Sequence, residues 1–499
     1  MAGLSIEHYK HPVQSNKANL GFMPMWALVV GGIIGSGIFN LINAMLSGGA
    51  STMALVISWI ITGVGMLLLV LSFYFLNKRR PDLDAGVYSY AQAGFGKFMG
   101  FNSAWGYWIS AWIGNVAYGT IVFASLNYFI KNVFVDSAGN FTIWTVLSAS
   151  VVLWLLAWLI SRGIKQAGFL NAITTIAKLV PIAVFLIATA LAFKFHIFSA
   201  DLWGEAMKNG AIQWGELLNQ VKGTMLAMVF VFIGIEGASV FSGQAKNHKI
   251  AGRATIWGFL TVLAVYVLIT VLSLGVMSNP DVANMNVNNS TAMAQILESV
   301  VGKWGGALIS IGVIISVVGA WLAWTLFAMQ IPYEAAKKKA FPAIFAKTNK
   351  HGVATWSLII TSAFIQIFFL IYLVSSAPYD LMVSLCSSMI LVPYLFVAMF
   401  QLRESVLDKT KKRVGQILIG VVATIYALWL LYAGGMDYLL TMMVLYAIGI
   451  PFYIWMQKEQ GAKRVFRPAE LVVAIAVVAV GLYALWWLIW GGGWNVMMG

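Results

Sequence analysis

Apolar stretches of about 20 residues or more recur from Phe22 to Trp490, each long enough to cross a hydrocarbon core of roughly 30 Å as a helix. They lie near 22–47, 51–76, 101–130, 141–160, 168–193, 223–245, 254–277, 304–333, 353–375, 379–402, 414–433, 437–456 and 469–490, thirteen in all. Backbone polar groups inside a bilayer must be satisfied within the spanning segment, so each stretch is expected as a helix and the fold class is all-α integral membrane. Composition agrees: 61% of the 499 residues are hydrophobic and 10% charged, against about 25% charged in soluble domains. The first stretch follows a polar leader of about 20 residues and lacks a small-residue cleavage pattern, so it is expected to stay in the mature chain.

The net charge of +14 reads as a topology signal. With a cytoplasmic N-terminus and thirteen spans, the cytoplasmic loops hold 25 of the 31 Lys and Arg, while the outer side holds Lys131, Lys194, Lys208, Lys222 and Lys303. That is the positive-inside asymmetry, and removing or adding one internal span would scramble it. The C-terminus is then outside, the site of action a plasma membrane, and a nucleic-acid partner is disfavoured because the basic residues are dispersed among short loops. Cys386, the only cysteine, lies within the tenth span and excludes an intrachain disulfide. The largest loop, Lys194 to Lys222, is too short for a separate soluble domain. The chain therefore reads as one membrane domain. No G-x-x-x-x-G-K-[ST] motif occurs, so any driving energy must come from gradients.

Glycine marks where two helices break. The first span carries Gly31, Gly32, Gly35 and Gly37, and each interior glycine costs a helix about 1 kcal/mol relative to alanine. Five spans later comes Phe232-Ile233-Gly234-Ile235-Glu236-Gly237-Ala238-Ser239-Val240-Phe241-Ser242-Gly243. An odd offset makes the two runs cross in opposite directions, the pattern of an inverted repeat whose first helices are both broken near the midplane. Close helix packing through small residues is the simpler reading of either run alone.

At these residues the chain resembles the amino acid–polyamine–organocation superfamily, and within it the basic amino acid/polyamine antiporters that include arginine/ornithine exchangers. Gly35-Ser36-Gly37-Ile38-Phe39 is similar to the family's first-helix motif and Phe232 to Ser239 to its sixth-helix motif. Arg80-Pro81-Asp82-Leu83-Asp84-Ala85-Gly86-Val87-Tyr88, Trp105 to Asn115 and Leu322-Ala323-Trp324-Thr325-Leu326 agree as well. The resemblance covers about the first 400 residues. It implies a five-plus-five inverted-repeat transport core with broken helices 1 and 6 at 22–402, after a cytoplasmic segment at 1–21 and before accessory spans at 403–499.

An amino acid brings a carboxylate and an ammonium that must both be desolvated. Free N–H groups near Gly35, Ser36 and Gly37 suit the first, and free carbonyls from Phe232 through Ile233 to Ile235 suit the second; the resemblance assigns these segments the same roles. Glu236 and Lys178 are the two charged residues deep within spans, which makes each a functional hypothesis. The charge of Glu236 answers to burial and to a bound cation, so it could sense protons or couple gating to substrate; its structural role would be to satisfy freed N–H groups. Lys178 resembles a fifth-helix lysine whose ammonium stands where sodium would bind in related transporters, which implies sodium independence; the alternative is a lysine bonded to exposed carbonyls.

Asn115 could accept a hydrogen bond from a guanidinium or ammonium head, as the resemblance implies, or bind helices together. Tyr107 and Tyr118 can share its helix face. By resemblance Trp324 packs on the substrate side chain, where a cation–π contact suits a cationic substrate, Cys386 faces substrate and Tyr394 stands at a gate. Phe230 replaces a usual tryptophan and Gln330 a usual acid, which leaves lysine/cadaverine, ornithine/putrescine and histidine/histamine exchange open beside arginine/ornithine.

The function expected is therefore sodium-independent exchange of a cationic amino acid for its metabolic product or amine by alternating access. A proton-coupled importer is the second reading, and a channel or receptor the third. Catalysis is not expected: no metal or nucleophile constellation occurs in the spans, all five histidines (His8, His11, His196, His248, His351) lie in loops or at span ends, and no cofactor is called for. The expected partners are amino acid and amine substrates and the lipid bilayer, with a homodimer among the allowed assemblies.

Overall fold

A computed structural model describes residues 21–83, 86–163, 167–236, 246, 248–375, 379–408 and 413–493. The leader with His8 and His11, Asp84 and Ala85, and the second glycine run from Gly237 to Gly243 lie outside the described residues. Nearly everything described is helix. In chain order the helices are α1 (Phe22–Ile33), α2 (Leu41–Leu46), α3 (Thr52–Arg79), α4 (Val87–Phe95), α5 (Lys97–Asn127), α6 (Ile143–Ser161), α7 (Ala167–Ala192), α8 (Phe195–Phe198) and α9 (Trp214–Phe232). They continue as α10 (His248–Leu274), α11 (Asn279–Ala283), α12 (Ala292–Val301), α13 (Lys303–Lys337), α14 (Thr355–Ser375), α15 (Tyr379–Leu407), α16 (Arg413–Ala433), α17 (Met436–Glu459) and α18 (Pro468–Trp490).

Among the described residues nine helices are long and apolar enough to cross a membrane: α3, α5, α6, α10, α13, α15, α16, α17 and α18. The other four apolar stretches are helical too, as α1 with α2, α7, α9 and α14. Their outer faces carry large exposed apolar side chains, among them Trp154, Leu191, Leu482 and Trp490, which only a lipid surround makes favourable over so wide a surface.

Burial sorts the helices. α5 is apolar around its circumference, and the structure encloses it on nearly every side against α13, α15 and α4. α18, at the other extreme, packs on α17 and turns most of its surface outward. The prolines inside α7 (Pro181), α13 (Pro332), α15 (Pro393) and α17 (Pro451) are of the kind membrane helices accommodate.

Short elements close the two ends. Lys194 to Lys222 holds α8 and a two-stranded antiparallel hairpin, β1 (Met207–Lys208) with β2 (Ala211–Ile212), in the register Met207 to Ile212. α11 and α12 dock on α2: Asn43 donates from Nδ2 to the Val282 carbonyl at 2.8 Å, and Asn40 Oδ1 accepts from the Ala292 N–H at 3.0 Å. At the opposite end Arg79 pairs with Asp408 at 2.9 Å, tying α3 to the end of α15. α4, a nine-residue helix between the second and third spans, was too short and too polar to register as a span.

Candidate functional site

The first break follows directly from the glycine run. α1 stops at Ile33, and Ile34 takes extended backbone (φ −69°, ψ 97°) before a 3-10 turn at Gly37–Phe39 leads into α2. Ending a helix inside the membrane frees carbonyls at its C-terminus, where a cation is favoured. Lys178 supplies it from α7: Nζ donates to the Gly31 carbonyl at 2.6 Å and the Ile34 carbonyl at 2.8 Å. On the other side of the break, the N–H groups of Gly35, Ser36 and Gly37 make no hydrogen bond among the described residues. The buried Ser36 hydroxyl has no partner among them either.

The second break begins where α9 ends. Ile233 leaves the helix (φ −60°, ψ 128°) and Gly234 follows at φ +112°, a conformation open to glycine and strained for other residues. A β-carbon there would stand 3.0 Å from the Gly32 carbonyl oxygen, so the two broken helices touch backbone to backbone. Glu236 folds back over its own break. Its carboxylate accepts from the Gly234 N–H at 3.1 Å, the Tyr107 hydroxyl at 2.7 Å and the Tyr394 hydroxyl at 2.8 Å. The geometry thus includes the structural role expected of Glu236 and adds links to α5 and α15.

Tyr266, on α10, was not singled out from sequence. Its hydroxyl lies 3.0 Å from the Val231 carbonyl and 3.4 Å from that of Ile33, between the two helix ends. A phenol in the middle of an apolar stretch is the signal that marks it, because in a membrane such a hydroxyl must find an acceptor.

Between the breaks lies a narrow cavity. Gly35, Ser36 and Gly37 form one wall with Ile33; Phe230, Val231 and Ile233 of the second break form another. Tyr118 closes it from α5, together with Ser110, Ala111 and Gly114; Trp324 closes it from α13 and Cys386 from α15. Among the described residues none in the lining carries a charge. Gly37 is held small by Phe230, whose ring would lie 2.7 Å from a β-carbon at that position. Ser110 donates to the Cys386 carbonyl at 2.8 Å and the Cys386 thiol donates to the Ser110 carbonyl at 3.1 Å, so this corner is bonded to itself.

Other expected site residues sit elsewhere. Asn115 does not line the cavity: Nδ2 donates to the Ala111 carbonyl at 2.8 Å, and Oδ1 accepts from the Thr325 hydroxyl at 3.0 Å, so the amide joins α5 to α13. The ring of Phe232 packs with Trp59, Phe259 and Tyr266, and its carbonyl accepts from the Ile235 N–H at 3.2 Å. Ile235 is buried outside the lining. Lys178 stands behind the first break, and Tyr107 and Tyr394 flank Glu236. Gln330 donates to Glu334 at 3.0 Å, so an acid is present one turn further along α13. Ser110, Ala111, Gly114 and Val231 join the lining without a distinguishing signal in the sequence, being small or aliphatic residues among many.

A family model described as amino acid permease matches residues 20–454, beyond the 400 or so over which the motif resemblance was read. An arginine/ornithine antiporter of Pseudomonas aeruginosa is 42% identical, over 94% of this chain and 98% of its own. An arginine/agmatine antiporter of Chlamydia pneumoniae is 40% identical (94% and 96%), and an arginine/ornithine antiporter of Lactococcus lactis 37% identical (94% and 90%). The fold is similar to that in a crystal structure of MhsT in complex with L-phenylalanine, with a TM-score of 0.59, 13% identity and coverage of 83% of this chain and 98% of that one.

Proposed function

The chain belongs to the amino acid permease family, and from that premise we propose that it is a sodium-independent exchanger of a cationic amino acid against its metabolic product or amine. Arginine is the substrate shared by the names of the relatives and is our first candidate. The observation that carries the reading is the cavity itself. It joins three backbone N–H groups with no partner among the described residues, at Gly35 to Gly37, to aromatic surface from Trp324 and Phe230. The first group suits an α-carboxylate, as helix breaks do for anions. Aromatic surface suits a cationic side chain through cation–π attraction, without the desolvation cost of a buried carboxylate. Lys178 occupies carbonyls that would otherwise be open to a metal cation, which supports independence from sodium. In the same reading the N-terminus is cytoplasmic and the C-terminus outside.

Two results test this. Purified protein in liposomes should take up labelled arginine only when a partner such as ornithine or agmatine is loaded inside, and replacing sodium by choline should leave the rate unchanged. Uptake into empty vesicles driven by a pH gradient would replace exchange with proton symport; saturable binding without accumulation would make the protein a receptor. Separately, Trp324→Leu is expected to raise the apparent KM for arginine about tenfold, in line with a desolvated cation–π contact of roughly 1–2 kcal/mol, and to affect neutral competitors less. Equal losses for both would remove the ring from side-chain recognition.

A further inference from the structure

We propose that Asp380 is a staging site for the cationic head of the substrate, at the outer seam between α2 and α15, reached before the cavity; this rests on the cationic-substrate reading above. Asp380 is the second residue of α15. One of its oxygens, Oδ2, lies 3.3 Å from the hydroxyl of Ser47, the residue that caps α2. That hydroxyl has a single proton and also lies 3.2 Å from the Ala44 carbonyl, so Asp380 shares the donor with a backbone acceptor. The other oxygen, Oδ1, is buried and accepts no hydrogen bond among the described residues.

No cation among the described residues is paired with it. The ion pairs among the described residues involve Arg79, Arg80 and Lys337, all on the side expected to be cytoplasmic. On the outer side, Lys222 lies over the Tyr432 ring, 4.6 Å from its centroid. The residues before Tyr379 that lie outside the described set are Ser376, Ala377 and Pro378, none of which is a cation. A second carboxylate, Asp437, stands in the first turn of α17, on the side expected to be outer. A carboxylate whose Oδ1 is buried with open acceptor capacity and no counter-charge among the described residues is unfavourable as a bare anion, and is completed by a proton or by an arriving cation.

Connectivity points to the substrate as that cation. The two elements that meet at Asp380 also reach the cavity: α2 continues from the Gly35–Gly37 wall, and α15 carries Cys386. Tyr379, next to Asp380, is buried, and neither its hydroxyl nor that of Ser36, which lines the cavity, has a hydrogen-bond partner among the described residues. Opening the seam between α2 and α15 would therefore separate Ser47 from Asp380 and uncover the carboxylate on a path that ends at the site. One carboxylate and one hydroxyl make a sparse shell for a metal ion, whereas a guanidinium or ammonium brings its own donors.

The test is counterflow in liposomes with outward-oriented protein. Asp380→Asn should raise the external KM for arginine about tenfold with kcat within about twofold. Raising external choline chloride from about 50 to 500 mM should weaken arginine uptake by the wild type and not by the variant, because screening acts on a charge the variant lacks. Asp380→Glu should restore the KM. An unchanged KM in Asp380→Asn, in a wild-type background that exchanges arginine, overturns this inference alone; a wild type that exchanges only neutral amino acids overturns the parent reading and this one with it. Should Asp380→Asn not fold, Ser47→Ala decides. A staging carboxylate released from its donor keeps or lowers the KM, whereas loss of transport in Ser47→Ala would make the pair a structural clasp and overturn the proposal.

Discussion

Glu236→Ala is expected to abolish exchange. Its carboxylate receives the Tyr107 and Tyr394 hydroxyls at 2.7 and 2.8 Å and the Gly234 N–H at 3.1 Å, and the residue is only 2% exposed. Alanine would leave those donors facing apolar surroundings, at about 1–3 kcal/mol for each one left unsatisfied. A total of several kcal/mol corresponds to at least a hundredfold loss at about 1.4 kcal/mol per factor of ten. Glutamine keeps the shape but turns an amide NH2 toward a donor, so an intermediate loss is expected. The double change Tyr107→Phe with Glu236→Ala should cost less than the sum of the two, because both remove the same bond. Initial rates of counterflow, with size-exclusion profiles to show that the variants fold, decide the matter. A Glu236→Ala protein within about fivefold of wild type would mean that water replaces the carboxylate and that the three-way link is dispensable.

The second large effect is expected at Lys178. Methionine is close in length and removes the donors that hold the Gly31 and Ile34 carbonyls at 2.6 and 2.8 Å. Breaking a buried, charge-assisted arrangement of this kind costs about 3–5 kcal/mol, so Lys178→Met should lose exchange by two orders of magnitude or more. The carbonyls it leaves are oxygen ligands at a helix C-terminus, where a cation is favoured. Some activity should therefore return in sodium and not in choline. A variant that is inactive in both salts assigns Lys178 to holding the helix end; one that is active in both sinks the role altogether.

How far the sequence carried the reading depended on the kind of interaction. Helix positions were legible because a bilayer demands long apolar runs, and the first break was legible because Gly31 to Gly37 cannot be explained by helix stability. Lys178 and Glu236 announced themselves as charges at depth. Asn115 shows where such reasoning stops: its place on the helix was readable, but not that the Ala111 carbonyl one turn back and the Thr325 hydroxyl across the interface would use its amide. Tyr266 was missed because its importance comes from lying beside two helix ends that are far from it in sequence. Phe232 was expected to offer a free carbonyl, but that carbonyl accepts from the Ile235 N–H at 3.2 Å, a local turn the sequence does not announce, while its ring packs toward Trp59 and Phe259.

Cys386 has a practical consequence for anyone who wishes to watch this protein work. It is the chain's only cysteine, and it stands in the wall of the cavity. A thiol-directed dye or spin probe would mark one position in the unmodified protein, with no background from other thiols to engineer away. The rate at which that mark forms, with and without a ligand present, would give a direct clock for opening and closing of the chamber.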